Sequence, residues 1–341
     1  MRLYDEIRSN YWDRLGPKMR EVFLRAERFS ADNVSEYYFA LTDQEVWDVE
    51  HFPNVAPPFP TFWIESKKPS KIVTEVESSP LPWQPPRETG IRRPERWGVL
   101  FNVVPKESLL PSPDPDSPLY ASIYTLEHLG LFKWVVHSLL FLDMGDDRMM
   151  GDKGVSPSWA WTLPITSEGK IHTLFDQTLQ ETVAGFSYSI RPEITNLVKY
   201  GGTEGRARYK SARAEAHAYF HPLLLTLTFL HCKNVNTVLQ QPDRKLVRRR
   251  AKEGKTLSSY RVLDIKPIQR MIADARQPGE TGIQHALHRC RAHFKTYTED
   301  RPLLGRAVGT YFWNDQLRGK SSRGTRSKDY NVLPPTPQKK S

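Results

Sequence analysis

The chain of 341 residues is long enough for two domains, and its 38% hydrophobic and 26% charged residues are typical of a globular protein with a somewhat polar balance. No segment approaches the ~18 uninterrupted apolar residues of a membrane-spanning helix, and the charged N-terminus has no apolar signal-peptide core. The two cysteines, Cys232 and Cys290, can form at most one bridge, so we expect a reducing cytoplasm.

The net charge of +10 is concentrated towards the C-terminus. From Pro242 to Ser341 there are 23 Lys and Arg against 9 Asp and Glu, a net charge of +14, whereas the preceding residues carry 26 against 30, a net charge of −4. This asymmetry favours an anionic partner that meets the C-terminal part of the chain. The alternative is a charged surface that only keeps the protein soluble.

The N-terminal part has the pattern of helices. Apolar residues at three- and four-residue spacings predict helix over 2–29, divided at Gly16-Pro17, and a further helix from Asp32 or Asn33 to about Val49. Aromatic residues in these segments are interpreted as core.

From Pro53 onwards the sequence changes to short apolar segments separated by proline-rich stretches, which predicts strands. The candidates are 61–65, 72–76, 97–104 and 120–125, with proline-rich surface loops between them. Residues 129–142 are apolar enough for a buried strand or helix, and their periodicity does not decide between the two.

An acidic cluster follows, formed by Asp143, Asp146, Asp147 and Asp152. Carboxylates on a loop can ligate a magnesium ion, but the neighbouring glycines fit an ordinary solvated turn better, and no metal site is predicted. Likewise His217 and His221, four residues apart, are interpreted as packed or surface histidines, because a zinc-protease motif needs Glu directly after the first His.

The second half of the chain is expected to begin with partly helical structure over 170–200, starting near Lys170. A long helix follows from about Ala212 to His231, kinked or divided at Pro222. Strands are predicted to Leu239 and over 260–266. Between them, six of the nine residues from Arg244 to Lys252 are basic. Gly254-Lys255-Thr256 is not a phosphate-binding loop, because Arg249 stands where the first glycine is needed.

Two periods compete over 283–297. Ile283, Leu287, Cys290, Phe294 and Tyr297 form the apolar stripe of an amphipathic helix. A strand instead places Arg289, Arg291, His293 and Lys295 on one face, and we favour the strand narrowly. Residues 310–313 and 329–332 are predicted as neighbouring strands.

Arginine next to histidine is a combination that can bind or cleave a phosphodiester. Arginine pairs with phosphate oxygens, and histidine exchanges protons near neutral pH. The candidate catalytic residues of a metal-independent ribonuclease are His293, with His288 or His285, and Arg291. The alternative is a binding surface without catalysis. The candidate nucleic-acid-binding residues are Arg248, Arg249, Arg250, Arg289, Arg291, Lys295, Arg306, Tyr311, Trp313, Arg318 and Lys328, with the aromatic rings stacking on bases.

The last third resembles a known group of proteins. The residues concerned are Cys232-Lys233-Asn234-Val235, Pro242, Arg248–Arg250, Tyr260–Leu263, His288, Arg291–Phe294, Pro302–Arg306, Gly309–Trp313, Arg318-Gly319 and Lys328–Tyr330. Their order is similar to that of uncharacterised bacteriophage and bacterial proteins, in which glycine is common where Ala292 stands. The resemblance covers about 232–332. It implies that the protein acts in a bacterial host cell or a phage-infected cell, and it does not indicate an activity.

These observations predict an α+β protein with N-terminal helices, a mixed, largely antiparallel sheet, one long helix near 212–231 and a basic C-terminal subdomain. The predicted domains are 1–205 and 206–332, followed by a disordered tail over 333–341. The predicted function is nucleic-acid binding, with RNA ahead of DNA because of the aromatic content. The alternatives are a metal-independent phosphodiesterase using His293 with Arg289 and Arg291, and a phage-encoded factor that binds an acidic host protein. No cofactor or membrane is predicted, and the oligomeric state is left open.

Overall fold

A computed structural model describes residues 2–41, 52–67, 94–104, 130–143, 154–176, 181–184, 186–190, 192–265, 286–290, 293–313, 316–318 and 320–325. It divides into two compact units. The first comprises 1–231 and 235–264, and the second comprises 232–234 and 265–341. The boundary predicted at 205/206 lies within a helix of the first unit.

The described helices lie in the first unit. They are α1 (Leu3–Glu6), which continues as a π-helical turn (Ile7–Tyr11) and a 3-10 turn (Trp12–Arg14), α2 (Pro17–Arg25), α3 (Asp32–Leu41), α4 (Pro192–Tyr200), α5 (Gly202–Leu230) and α6 (Arg244–Lys252). The predicted division at Gly16-Pro17 is confirmed. The long helix is confirmed as α5, but it begins at Gly202 and runs through Pro222 without being divided.

The first unit contains an eight-stranded sheet in the order β8-β5-β4-β3-β2-β1-β10-β9. Its strands are β1 (Glu27–Ser30), β2 (Thr61–Lys67), β3 (Arg96–Val104), β4 (Trp134–Asp143), β5 (Val155–Ile165), β8 (Phe186–Ser189), β9 (Val235–Gln240) and β10 (Tyr260–Ile265). β1 is parallel to β2 and β10, whereas the pairs from β2 to β8 are antiparallel. The mixed, largely antiparallel sheet of an α+β protein is therefore confirmed.

Shorter strands complete the described structure. β6 (Thr173–Asp176) pairs with β7 (Glu181–Ala184). In the second unit, β12 (His293–Tyr297) pairs with β13 (Gly309–Trp313), and β11 (Ala286–Cys290) lies between β14 (Gln316–Arg318) and β15 (Lys320–Thr325). The strand alternative for 283–297 is thus correct over β11 and β12. The partly helical structure predicted over 170–200 is confirmed for α4, but its predicted start near Lys170 is wrong, because the β-branched and aromatic residues of β6, β7 and β8 form strands there. The strands predicted over 72–76, 120–125 and 329–332 lie outside the described residues.

Alternating side chains of the central strands are buried on both faces of the sheet. Trp63 and Leu100 pack on one face with Tyr4 and Phe23 from α1 and α2. On the other face, Phe101 contacts Phe220 of α5, with ring centroids 6.0 Å apart. Because adjacent residues of a strand point to opposite faces, this alternation gives a three-layer arrangement with the sheet between two layers of helices.

Gly98 on β3 is needed for the close approach of the Trp63 indole. A methyl group at position 98 would overlap the indole ring, and Trp63 is fully buried. We expect Gly98→Ala to lower the free energy of unfolding by about 1–3 kcal/mol, as overpacked cores do. The control is Gly16→Ala, because nothing lies within 4 Å of a Cβ there. Urea unfolding of the two variants compares them, and an equal effect would show that this core accommodates the methyl group.

Candidate nucleic-acid interface

The basic segment predicted to bind nucleic acid forms helix α6. Its N-cap is Asp243, whose carboxylate accepts hydrogen bonds from the backbone N–H groups of Lys245 and Leu246 at 2.8 and 3.0 Å. Gly254, at φ +70°, follows its last turn, and its N–H donates to the Ala251 carbonyl at 3.0 Å. Capping at both ends stabilises a helix whose nine residues would be marginal in isolation.

One face of α6 is uniformly basic. At about 100° of rotation per residue, five cations fall within an arc of about 140°; in order around the helix they are Arg244, Arg248, Lys252, Lys245 and Arg249, and all five are exposed. No residue of α6 is buried. We call these five residues the basic face. The five cations repel each other, and an anion bound against them would offset this repulsion.

Arg250 lies about 100° beyond the basic face and has a local partner. Its guanidinium donates to the Glu253 carboxylate at 2.7 Å, and Lys255 lies 3.7 Å from the same carboxylate. The hydrogen bond from Arg250 lowers the pKa of Glu253. Of the three arginines predicted here, Arg248 and Arg249 therefore belong to the basic face, while Arg250 is turned towards an acid.

The hairpin β12–β13 holds further candidate residues. His293 is opposite Trp313, and Lys295 is opposite Tyr311. His293 and Lys295 are exposed, and the Lys295 ammonium lies 4.9 Å from the centre of the Tyr297 ring. The imidazole of His293 is parallel to the Trp313 ring, with centroids 6.2 Å apart. The hairpin therefore presents a histidine and a lysine on its surface.

Tyr311 and Trp313, predicted to stack on bases, are instead packed inside the second unit. Their exposed fractions are 5% and 8%, and both contact Leu303 from the loop between the two strands. The backbone N–H and C=O of Phe312 exchange two hydrogen bonds of 3.0 Å with the Asn234 side chain. These two rings have almost no free surface for a base, so they do not support the preference for RNA.

The remaining candidates are only partly described. Arg306 is exposed on the loop between β12 and β13. The backbone of β11 aligns His288 with Arg318 and Arg289 with Leu317 of β14. Arg291 and Lys328 lie outside the described residues, as do the side chains of His288, Arg289 and Arg318. The predicted placement of Arg289, Arg291 and His293 on one face therefore stays a prediction, and so does the catalytic set.

Of the acidic cluster considered for metal binding, only Asp143 is among the described residues. The Asp143 carboxylate is buried and is paired with the guanidinium of Arg96, whose Nε lies 2.7 Å away. Asp146, Asp147 and Asp152 lie outside the described residues. Within the described ranges, no three His, Cys, Asp or Glu side chains form a group that could hold a metal.

His217 and His221 are packed, as their spacing indicated. The Trp161 indole N–H donates to His217 Nε2 at 3.3 Å, and burial holds the pKa of His217 well below its usual value. His221 Nδ1 lies 3.5 Å from the Tyr38 hydroxyl. His217 therefore lies between α5 and the sheet, whereas His221 contacts Tyr38 of α3.

A buried carboxylate at the parallel strands was not predicted. Glu65 of β2 accepts hydrogen bonds on Oε2 from the Tyr4 backbone N–H at 2.9 Å and the Trp63 indole at 2.8 Å. The Tyr260 hydroxyl lies 3.4 Å from the same oxygen, and the Arg2 guanidinium is 3.8 Å from Oε1. Burial raises the pKa of Glu65 to about 7. The one signal in the sequence was an acid inside the apolar strand TFWIESK.

No family model, no curated protein and no solved structure matches the chain. The resemblance of residues 232–332 to phage and bacterial proteins accordingly stays a prediction. None of the helices in the described part of the chain has both the length and the apolar composition needed to cross a membrane.

Proposed function

We propose that the protein binds nucleic acid through the basic face of α6. The observation that carries this proposal is the alignment of five exposed cations along one side of a capped helix that has no buried residue. The first and last of them in the sequence, Arg244 and Lys252, are about 12 Å apart along the helix axis. A row of this length suits a polymer of closely spaced phosphates better than a single small anion.

The composition of the basic face also supports this partner. Three of its five cations are arginines, whose planar guanidinium groups remain charged and pair with two phosphate oxygens at once. The nearest acids in the sequence, Asp243 and Glu253, are engaged with the helix N-terminus and with Arg250. The basic face is therefore not neutralised by its own helix.

Salt titration tests the proposal. If all five cations meet phosphates, the logarithm of the association constant for a duplex falls with the logarithm of the salt concentration at a slope of up to about −4.5. Fluorescence anisotropy with a labelled oligonucleotide measures this slope. Polyglutamate is the competing polyanion, because an acidic protein was the alternative partner. A slope near zero would contradict nucleic-acid binding by these cations, and tighter binding of polyglutamate than of the oligonucleotide at equal charge concentration would favour the acidic protein as the partner.

A further inference from the structure

We infer that the nucleic acid bound by α6 is double-stranded DNA, with the helix lying in the major groove. This inference rests on the proposed function and adds to it the kind of nucleic acid and the mode of docking. It reverses the preference expected from the sequence, which placed RNA ahead of DNA because of the aromatic residues of the chain.

The first argument is steric. A groove-binding helix must be accessible around most of its circumference, because the walls of the groove enclose it on both sides. Helix α6 meets this condition, since none of its nine residues is buried and Val247, on the side away from the basic face, is 37% exposed. The preceding strand β9 is also exposed over residues 236–240. The side chains of α6 and of the preceding strand β9 are therefore accessible to a partner.

The second argument is the match of widths. An α-helix with its side chains is about 10–12 Å across, and the major groove of B-DNA is about 12 Å wide. The major groove of an RNA duplex is deep and narrow, and protein side chains cannot read it. A straight, capped helix is therefore accepted by DNA and excluded by regular RNA duplexes.

The third argument is the order of cations around the basic face. Arg244 and Arg249 stand at the two edges of its arc, about 140° apart, and so point to opposite walls of a groove. Arg248, Lys252 and Lys245 lie between them and point to its floor. Cations at the edges suit the phosphates of the two strands, and Arg248 is placed to donate to guanine O6 and N7.

The fourth argument concerns single strands, which proteins hold largely by stacking bases on aromatic rings. Helix α6 contains no aromatic residue, and the two rings predicted to stack are buried. The chemistry available at α6 is therefore cationic rather than stacking, as expected for a duplex.

A binding comparison with the full-length protein tests the inference. The ligands are a DNA duplex, an RNA duplex of the same sequence and length, and the single RNA strand, all at one salt concentration. Because the two duplexes carry the same number of phosphates, attraction by charge alone predicts similar affinities. Docking of α6 in the major groove predicts at least a tenfold preference for DNA. Equal or tighter binding of either RNA overturns the inference but leaves nucleic-acid binding intact, whereas binding of none of the three overturns the proposed function.

A pair of variants tests whether the helix itself is required. Asp243→Ala removes the N-cap hydrogen bonds, whereas Asp243→Ser supplies a hydroxyl that accepts them, and both remove the same negative charge. We expect Asp243→Ala to bind the DNA duplex at least threefold more weakly than Asp243→Ser. Equal affinities would overturn the inference, because a basic segment that acts only through its charge does not depend on the cap.

Discussion

Replacing Arg244, Arg248 and Arg249 together with alanine is expected to weaken binding to a DNA duplex by roughly several hundred-fold at about 0.1 M salt. Each lost phosphate contact removes about 0.9 from the slope of log affinity against log salt, so three contacts remove about 2.7. Alanine has the highest helix propensity, and none of the three side chains is buried, so α6 is expected to persist. Anisotropy titrations across several salt concentrations measure both quantities.

Two controls accompany this triple variant. Lys18→Ala, Arg206→Ala and Arg301→Ala combined remove three exposed cations from elsewhere in the chain, so the change in net charge is the same. Arg250→Ala removes a cation of α6 that is turned towards Glu253. Both are expected to bind within a few-fold of the wild type. A loss as large in the first control would mean that only net charge matters.

Glu65→Gln is expected to change how stability depends on pH. Burial raises the pKa of Glu65 from its ordinary value of 4.5 to about 7, so the native state binds the proton more tightly than the unfolded chain. The stabilisation by the protonated carboxyl is complete below the unfolded pKa and is lost as pH rises through about 7. The shift corresponds to about 3 kcal/mol.

Glutamine is neutral at every pH, and its side-chain oxygen can accept the hydrogen bonds from Trp63 and Tyr4. Relative to the wild type, the variant should therefore gain stability between pH 5 and pH 8, by about 1–3 kcal/mol. Urea unfolding at the two pH values measures the gain. Glu36→Gln makes the same chemical change at an exposed position of α3 and serves as the control. A Glu65→Gln difference that is the same at both pH values would show that the carboxyl does not change its protonation on folding in this range.

Long or strongly alternating segments were the part of the fold that could be predicted from sequence. Strands β2, β3, β10 and β13 and helix α5 carry enough consecutive residues for a period to be visible. β1 has four residues directly after α2, which is too short for its period to be distinguished from the helix before it. β6, β7 and β8 are equally short, which is why the helical structure predicted over 170–200 was placed too early and only α4 is helical there.

The candidate site could be predicted only in part. Six cations in nine residues identify a basic surface, but the helix that places five of them on one side was not predicted. Burial could not be read from the sequence, because basic and aromatic residues interleaved along a strand fit an exposed platform and a half-buried hairpin equally well. Tyr311 and Trp313 are buried by a loop that folds back through Leu303. Glu65 gathers Arg2, Tyr4 and Tyr260 from distant parts of the chain, so no local pattern reveals it.

Amide hydrogen exchange with and without a DNA duplex tests most directly whether α6 is the binding element. In the free protein this short helix without buried residues should exchange quickly. Binding in a groove should slow exchange at 244–254 at least tenfold at low salt, and high salt should abolish the effect. Unchanged exchange over α6 in the bound protein, with protection appearing in another segment, would contradict the account.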